Sequence, residues 1–168
     1  GLSANRKQCQ KYAERSIFAL RPVTLDELGF YPALQQFIND FGEQNQLHVD
    51  LRIAGPPDRL PSALEPVLFR ITQEALNNVG KHARASTVWV TLNLESADTV
   101  VFTARDDGIG LDVTLLDQAA RGGHVGLAQM RERVEGLGGT FSLQGQSNKG
   151  TEIKVILPLS KPYSLWGY

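Results

Sequence analysis

Apolar residues recur along this chain at two different periods, and each change of period marks an element. Residues 5 to 20 are rich in Lys, Arg, Gln, Ala and Glu, with Tyr12, Ile17, Phe18 and Leu20 as apolar points. They predict a helix ended by Pro22, because proline disfavours helical geometry in the residue before it. Thr24 to Phe30 reads as a connector, after which Leu34, Phe37, Ile38 and Phe41 return at helical spacing and predict a helix from Ala33 to Phe41. Leu47, Val49, Leu51 and Ile53 then alternate with His48, Asp50 and Arg52, the pattern of a half-buried strand. Gly55-Pro56-Pro57 breaks the chain, and Ser62 to Ala83 is the longest helix candidate. Leu68, Ile71, Ala75 and Val79 line one side of that helix; Glu74, Asn78 and Lys81 line an adjacent side.

Two strands follow, Thr87 to Leu94 and Thr99 to Arg105, joined at Ser96-Ala97-Asp98. Leu111 to His124 lacks strong periodicity and reads as a loop, and Gly126 to Leu137 as a helix closed by Gly138-Gly139. Thr140 to Gln144 and Thr151 to Leu157 complete a hairpin. This order of elements argues an α+β fold, a two-layer sandwich of a mixed, mostly antiparallel sheet with helices on one face.

Composition narrows the partners. A net charge of -1 over 168 residues gives no nucleic-acid footprint. The single cysteine, Cys9, can form neither an internal disulfide nor a thiolate metal cage, which points to a reducing, cytoplasmic setting. No apolar run approaches the roughly 20 residues needed to span a bilayer, so any membrane attachment is expected only through a longer parent chain.

The candidate chemistry lies in four pieces. Glu74, Asn78 and Lys81 project within roughly 60° of one helix face in α-geometry. Mg2+ usually takes one or two protein oxygens alongside waters and phosphates, and Asn78 can give one without adding charge. Glu74 can orient a metal-bound water or accept a proton, and Lys81 can face phosphate oxygens. The alternative is a solvated helix face. Asp106-Asp107-Gly108-Ile109-Gly110 follows a strand; an aspartate there can accept a hydrogen bond from the exocyclic amine of adenine, and the glycines permit close approach. A simple turn or a calcium-like loop is the competing reading. Gly123-His124-Val125-Gly126-Leu127 leads into a helix whose first amides would face anions, with a plain capped helix as the alternative. It lacks the Gly-Lys-Ser/Thr element of a Walker loop. Thr151, after Gly150, could bond a base edge or simply favour a strand, and His82 and His124 lie beside the phosphate-binding pieces.

Read as a set, FRITQEALNNVGKHA, DDGIG, GHVGLAQMRERVEGLGGTFSL and GTEIKVILP resemble the catalytic ATP-binding domain (HATPase_c) of bacterial sensor histidine kinases, which has the Bergerat or GHKL fold. MRERVEGLGG and ALRPVTLDELGFYPALQQF are similar to the subgroup that signals to NarL-type response regulators. The resemblance implies ATP and Mg2+ as ligands, with Asn78 as the metal ligand and Glu74 as the acidic residue of the same helix. It makes Asp106 the adenine-binding aspartate, with Gly108 and Gly110 shaping its pocket. Lys81 and His82 fall where the family contacts phosphates, Gly123, Gly126 and Leu127 in the second glycine motif, and Thr151 near the base. Residues 111 to 122 correspond to the family's ATP lid.

The implied organisation is a remnant of the second dimerisation helix over 1–21, the ATP-binding catalytic domain over 22–160 and a tail over 161–168. Members of the family phosphorylate a histidine on the first helix of a dimerisation hairpin. No histidine stands among the roughly 20 residues before Arg21, so γ-phosphoryl transfer is expected only to a hairpin supplied from elsewhere. Two other readings are a GHKL ATPase or serine kinase of the anti-sigma type, and a nucleotide-sensing module without catalysis.

Overall fold

A computed structural model describes residues 23–110 and 125–160 of the chain. The helix expected over residues 5 to 20, the loop at 111 to 124 with Gly123 and His124, and the tail lie outside the described residues. Two helices come first, α1 (Val23–Leu28) and α2 (Phe30–Asn45), followed by strand β1 (His48–Ala54). Two short 3-10 turns, Pro57–Arg59 and Ser62–Leu64, lead into α3 (Glu65–Asn78), which passes into a π-helical turn at Val79–Ala83. β2 (Thr87–Asn93), β3 (Thr99–Asp106), α4 (Val125–Gly136), β4 (Thr140–Gly145) and β5 (Thr151–Pro158) complete the order.

The strands form one sheet in the order β1-β2-β3-β5-β4. β1 and β2 pair in parallel and every other neighbour is antiparallel, so the sheet is mixed and mostly antiparallel, as the sequence pattern implies. A parallel pair requires a crossover, and the segment containing α3 makes it. That crossover lays the Glu74–Asn78 stretch against the sheet.

Alternation decides which face of the sheet is covered. Val88, Val90 and Leu92 of β2, Val100, Phe102 and Ala104 of β3, and Ile153, Val155 and Leu157 of β5 point into one core. Trp89 and Arg105, paired across the two central strands, are exposed on the opposite face. The helices supply the other half of the core through Leu34, Ile38 and Phe41 of α2, Leu68, Ile71 and Ala75 of α3, and Leu127, Met130 and Val134 of α4. This is the α+β two-layer arrangement.

Two local readings change. The expected connector from Thr24 to Phe30 contains the helix α1, because Leu25 is buried in the core and Gly29, at φ +82°, turns the chain directly into α2. The expected single helix from Ser62 to Ala83 is three pieces, since Pro61 and Pro66 shape its start and the π-turn widens its end. The glycine stop after α4 holds: Gly138 has φ +80° and Gly139 N–H donates to the carbonyl of Val134 at 2.9 Å. Among the described residues no helix is long and apolar enough to cross a membrane.

Candidate nucleotide site

Three chain segments meet at one end of the sheet, where β3 ends, β5 begins and the π-turn after α3 stops. Asp106 is the last residue of β3, opposite Val88 of β2, and is only 4% exposed. Its Oδ1 accepts a hydrogen bond from Gly108 N–H at 2.8 Å. Burial pushes the Asp106 carboxyl up from its ordinary value and the neighbouring charge of Asp107 adds to this, while backbone N–H groups of Gly108 and Thr151 pull it partly back. A buried carboxylate in this state gains from any further donor that reaches it.

The next residue does different work. Asp107 points outward, and its Oδ1 accepts from the backbone N–H groups of Ser86 at 2.8 Å and Thr87 at 3.0 Å. Those bonds hold its pKa below the ordinary carboxylate value. Asp107 therefore ties the start of β2 to the end of β3, while Asp106 alone faces the interior.

The loop after Asp106 is fixed by backbone contacts that leave no room for side chains. Ile109 N–H donates to the carbonyl of Ala83 in the π-turn, and Asn148 N–H donates to the carbonyl of Ile109, both at 2.8 Å. A Cβ on Gly108 would overlap the carbonyl of Ala83, and one on Gly150 would overlap the carbonyl of Asp106. Gly150, at φ +82°, also takes a backbone conformation that other residues rarely adopt. The turn between β4 and β5 and the glycine loop are thus packed backbone on backbone.

Beside Asp106 lies a cleft that opens to solvent on one side. Ala75, Val79 and Ala83 from the α3 side, Ala104 and Ile153 from the sheet, and Leu127 and Leu143 give it apolar walls. Its polar groups are few: Asp106, Thr151, Asn78 and His82. The apolar slot with a carboxylate at its base suits a flat heteroaromatic ring that offers an amine.

Of the residues singled out in the sequence, Asn78, His82, Asp106, Gly110, Leu127 and Thr151 line the cleft. Gly108 and Gly126 stand behind its walls, the first against Ala83 and the second against Glu74. Glu74 and Lys81 do not line it, and Lys81 is exposed on the π-turn. That turn breaks the α-spacing on which the expected Glu74–Asn78–Lys81 face depends, and brings His82 to the wall. Sequence reasoning missed Gly150 as the residue packed against the Asp106 backbone, although its place before Thr151 and the positive φ common to glycine turns were available signals.

Asn78 gives the test of a metal-phosphate role. Its Nδ2 is buried and finds no hydrogen-bond partner among the described residues, although the side chain lines the cleft. An amide left in this state either donates to a ligand oxygen or, turned over, presents Oδ1 to a cation. The residues present fit a magnesium-bound phosphate there, since such a metal needs only one or two protein oxygens.

A profile of the histidine kinase-, DNA gyrase B- and HSP90-like ATPase family matches residues 63–161. Among curated proteins, the signal transduction histidine-protein kinase/phosphatase DegS of Brevibacillus brevis is 36% identical over 146 residues, which are 87% of this chain and 36% of that protein. The oxygen sensor histidine kinase NreB of Staphylococcus carnosus is 30% identical over 84% of this chain and 40% of its own length. The chain therefore spans a little over a third of such relatives. The histidine kinase domain of the blue-light activated kinase from Erythrobacter litoralis superposes with a TM-score of 0.62 at 23% identity, over 77% of this chain and 60% of that one. That likeness concerns the fold.

Proposed function

We propose that this chain, which belongs to the histidine kinase-, DNA gyrase B- and HSP90-like ATPase family, is the Mg-ATP-binding catalytic domain of a two-component sensor kinase. Its reaction would be transfer of the γ-phosphoryl group to a histidine on a dimerisation hairpin of the parent kinase. The observation that carries this reading is the buried Asp106 carboxylate at the base of an apolar cleft. Adenine N6–H would donate to it, and the ring would lie between Ala104 and Ile153 of the sheet and Val79 and Leu127 of the helices. Guanine carries a carbonyl at the corresponding position and would leave the carboxylate facing an acceptor.

The phosphates would then extend towards Asn78 and His82, with Asn78 holding Mg2+ and Lys81 reaching in from the exposed π-turn. Bound magnesium would neutralise charge on the phosphoryl oxygens. Phosphoryl transfer asks mainly for positioning and charge neutralisation, so this chain's own contribution is to fix the base, orient the phosphates and exclude water from the apolar wall. The similarity of DegS, NreB and related sensor kinases favours a NarL-type response regulator as the downstream partner and a cytoplasmic placement of this domain within a sensor.

The test has two arms. Calorimetric titration should show ATP bound in preference to GTP, with Asp106→Asn abolishing that preference. Mixing the chain with radiolabelled ATP and the parent's dimerisation hairpin should label a histidine on the hairpin. Binding without transfer would leave a nucleotide-sensing module, and release of free phosphate without a hairpin would favour the ATPase reading.

A further inference from the structure

The seam between α3 and α4 carries charge that the nucleotide contacts do not use. Glu74 is half-buried on α3, and its carboxylate abuts Gly126 in the first turn of α4. A Cβ on Gly126 would overlap Oε2 and stand 3.0 Å from Cδ of Glu74. One turn earlier on α3, Arg70 is also half-buried; burial lowers its pKa, the like charge of Arg133 on α4 lowers it further, and Glu74 opposes both. Glu74 beside Gly126 and Arg70 within the field of Arg133 mean that the helices run in opposite senses along this seam. The buried face of α4 is Leu127, Met130 and Val134, and Leu127 is also a wall of the cleft.

We infer that Glu74 is a positioning residue of the nucleotide site: its carboxylate, packed against Gly126 and acting on Arg70, holds the first turn of α4, with Leu127, against the cleft. A carboxylate is favoured at a helix N-terminus, where unpaired amides leave partial positive charge. Without it, the influence of Arg133 on Arg70 would lose the charge that opposes it, in a partly desolvated seam where like charges repel more strongly than in water. Glycine at 126 is what lets the carboxylate come so close. Glu74 then works through α4 and not on the transferred group. This deepens the nucleotide-site reading and rests on it for the identity of the ligand.

The decisive experiment is a double-mutant cycle on the described chain, using Glu74→Gln, Arg133→Gln and the pair together. Thermal unfolding and the affinity for ADP without magnesium are read for each. Glu74→Gln should lower the melting temperature by about 3 °C or more and weaken ADP about tenfold. The double variant should recover most of both losses, because the repulsion of Arg133 on Arg70 that Glu74 opposes is gone. A role in proton transfer or in orienting metal-bound water predicts unchanged magnesium-free binding and no recovery, and either result would overturn the inference. If Glu74→Gln does not fold, Gly126→Ala in the parent and in Glu74→Ala reads the same contact. Losses smaller in the second background support it, and equal losses refute it. A parent chain that binds no ADP would refute the nucleotide reading, whereas the melting cycle decides the seam by itself.

Discussion

At the Asp106 end of the cleft the backbone packs against itself, whereas at the Asn78 end a side chain still has a hydrogen bond to make. Gly108 and Gly150 bring main chain into contact with main chain around Asp106, and Ile109 joins the π-turn to the β4–β5 turn through two 2.8 Å bonds. The Asn78 Nδ2, by contrast, is buried without a partner. The first region is finished without a ligand; under the proposed function the second would be completed by one. A base-binding end gains from rigidity, because selectivity between purines depends on holding one acceptor in place. A phosphate-binding end must accept a metal and its waters, and an unmet donor there stores binding free energy for the ligand.

The largest effect should come from disturbing the finished end. Gly150→Ala would force a Cβ into the carbonyl of Asp106 at φ +82°, and should lower the unfolding free energy by about 3 kcal/mol, read by urea denaturation. An unchanged midpoint would show that the backbone packing is looser than described. Asp106→Asn should keep the fold yet weaken ADP by roughly ten- to a hundred-fold, the equivalent of one charge-assisted hydrogen bond. Because burial raises the Asp106 pKa, the ionised carboxylate costs the empty protein stability at neutral pH. The variant should therefore melt no lower than the parent at pH 7.

The sign of the pH effect follows from the same shift. The empty folded protein holds the Asp106 proton more tightly than the unfolded chain does, so this group's stabilising contribution belongs to low pH and is lost as pH rises through the raised pKa. The nucleotide amine needs the ionised form. ADP affinity should accordingly fall as pH is lowered through that raised value, and the dependence should vanish in Asp106→Asn. At the unfinished end, Asn78→Ala should leave the melting temperature unchanged or slightly higher, since it removes an unpaired buried donor. The same variant should remove most of the increment in ATP affinity that magnesium gives, about tenfold. The smallest effect is expected of Asp107→Ala, which loses two backbone bonds at the start of β2. It should cost about 1 kcal/mol and leave the choice between purines untouched.

The sheet was legible because its strands alternate cleanly, as Val88, Val90 and Leu92 do against Thr87, Trp89 and Thr91. The Asp106 loop was legible only as one of a set of motifs, since DDGIG by itself reads equally well as a simple turn. Helix α1 was not, since a six-residue element with Leu25 as the only buried side chain among those described has no period to detect. The π-turn was hidden for a different reason: sequence spacing assumes α-geometry, so Lys81 looked as well placed as Asn78, and His82 drew less weight than its position on the wall warrants. The residue pattern alone does not separate Asp106 from Asp107; the resemblance points to Asp106, and the strand pairing and burial put that residue on the core side. The seam of Glu74 with Gly126, and of Arg70 with Arg133, joins residues far apart in the chain and leaves no local mark.

The central claim is that Asp106 reads the amine of adenine, and the most direct test compares ADP with inosine diphosphate, which replaces that amine by a carbonyl. Calorimetric titration of both against the parent chain and Asp106→Asn separates this one contact from everything the phosphates contribute. The account predicts that the parent prefers ADP by about ten- to a hundred-fold and that Asp106→Asn, whose amide can donate to the carbonyl, loses or reverses the preference. Equal affinity of the parent for the two nucleotides would contradict it and would place the base elsewhere.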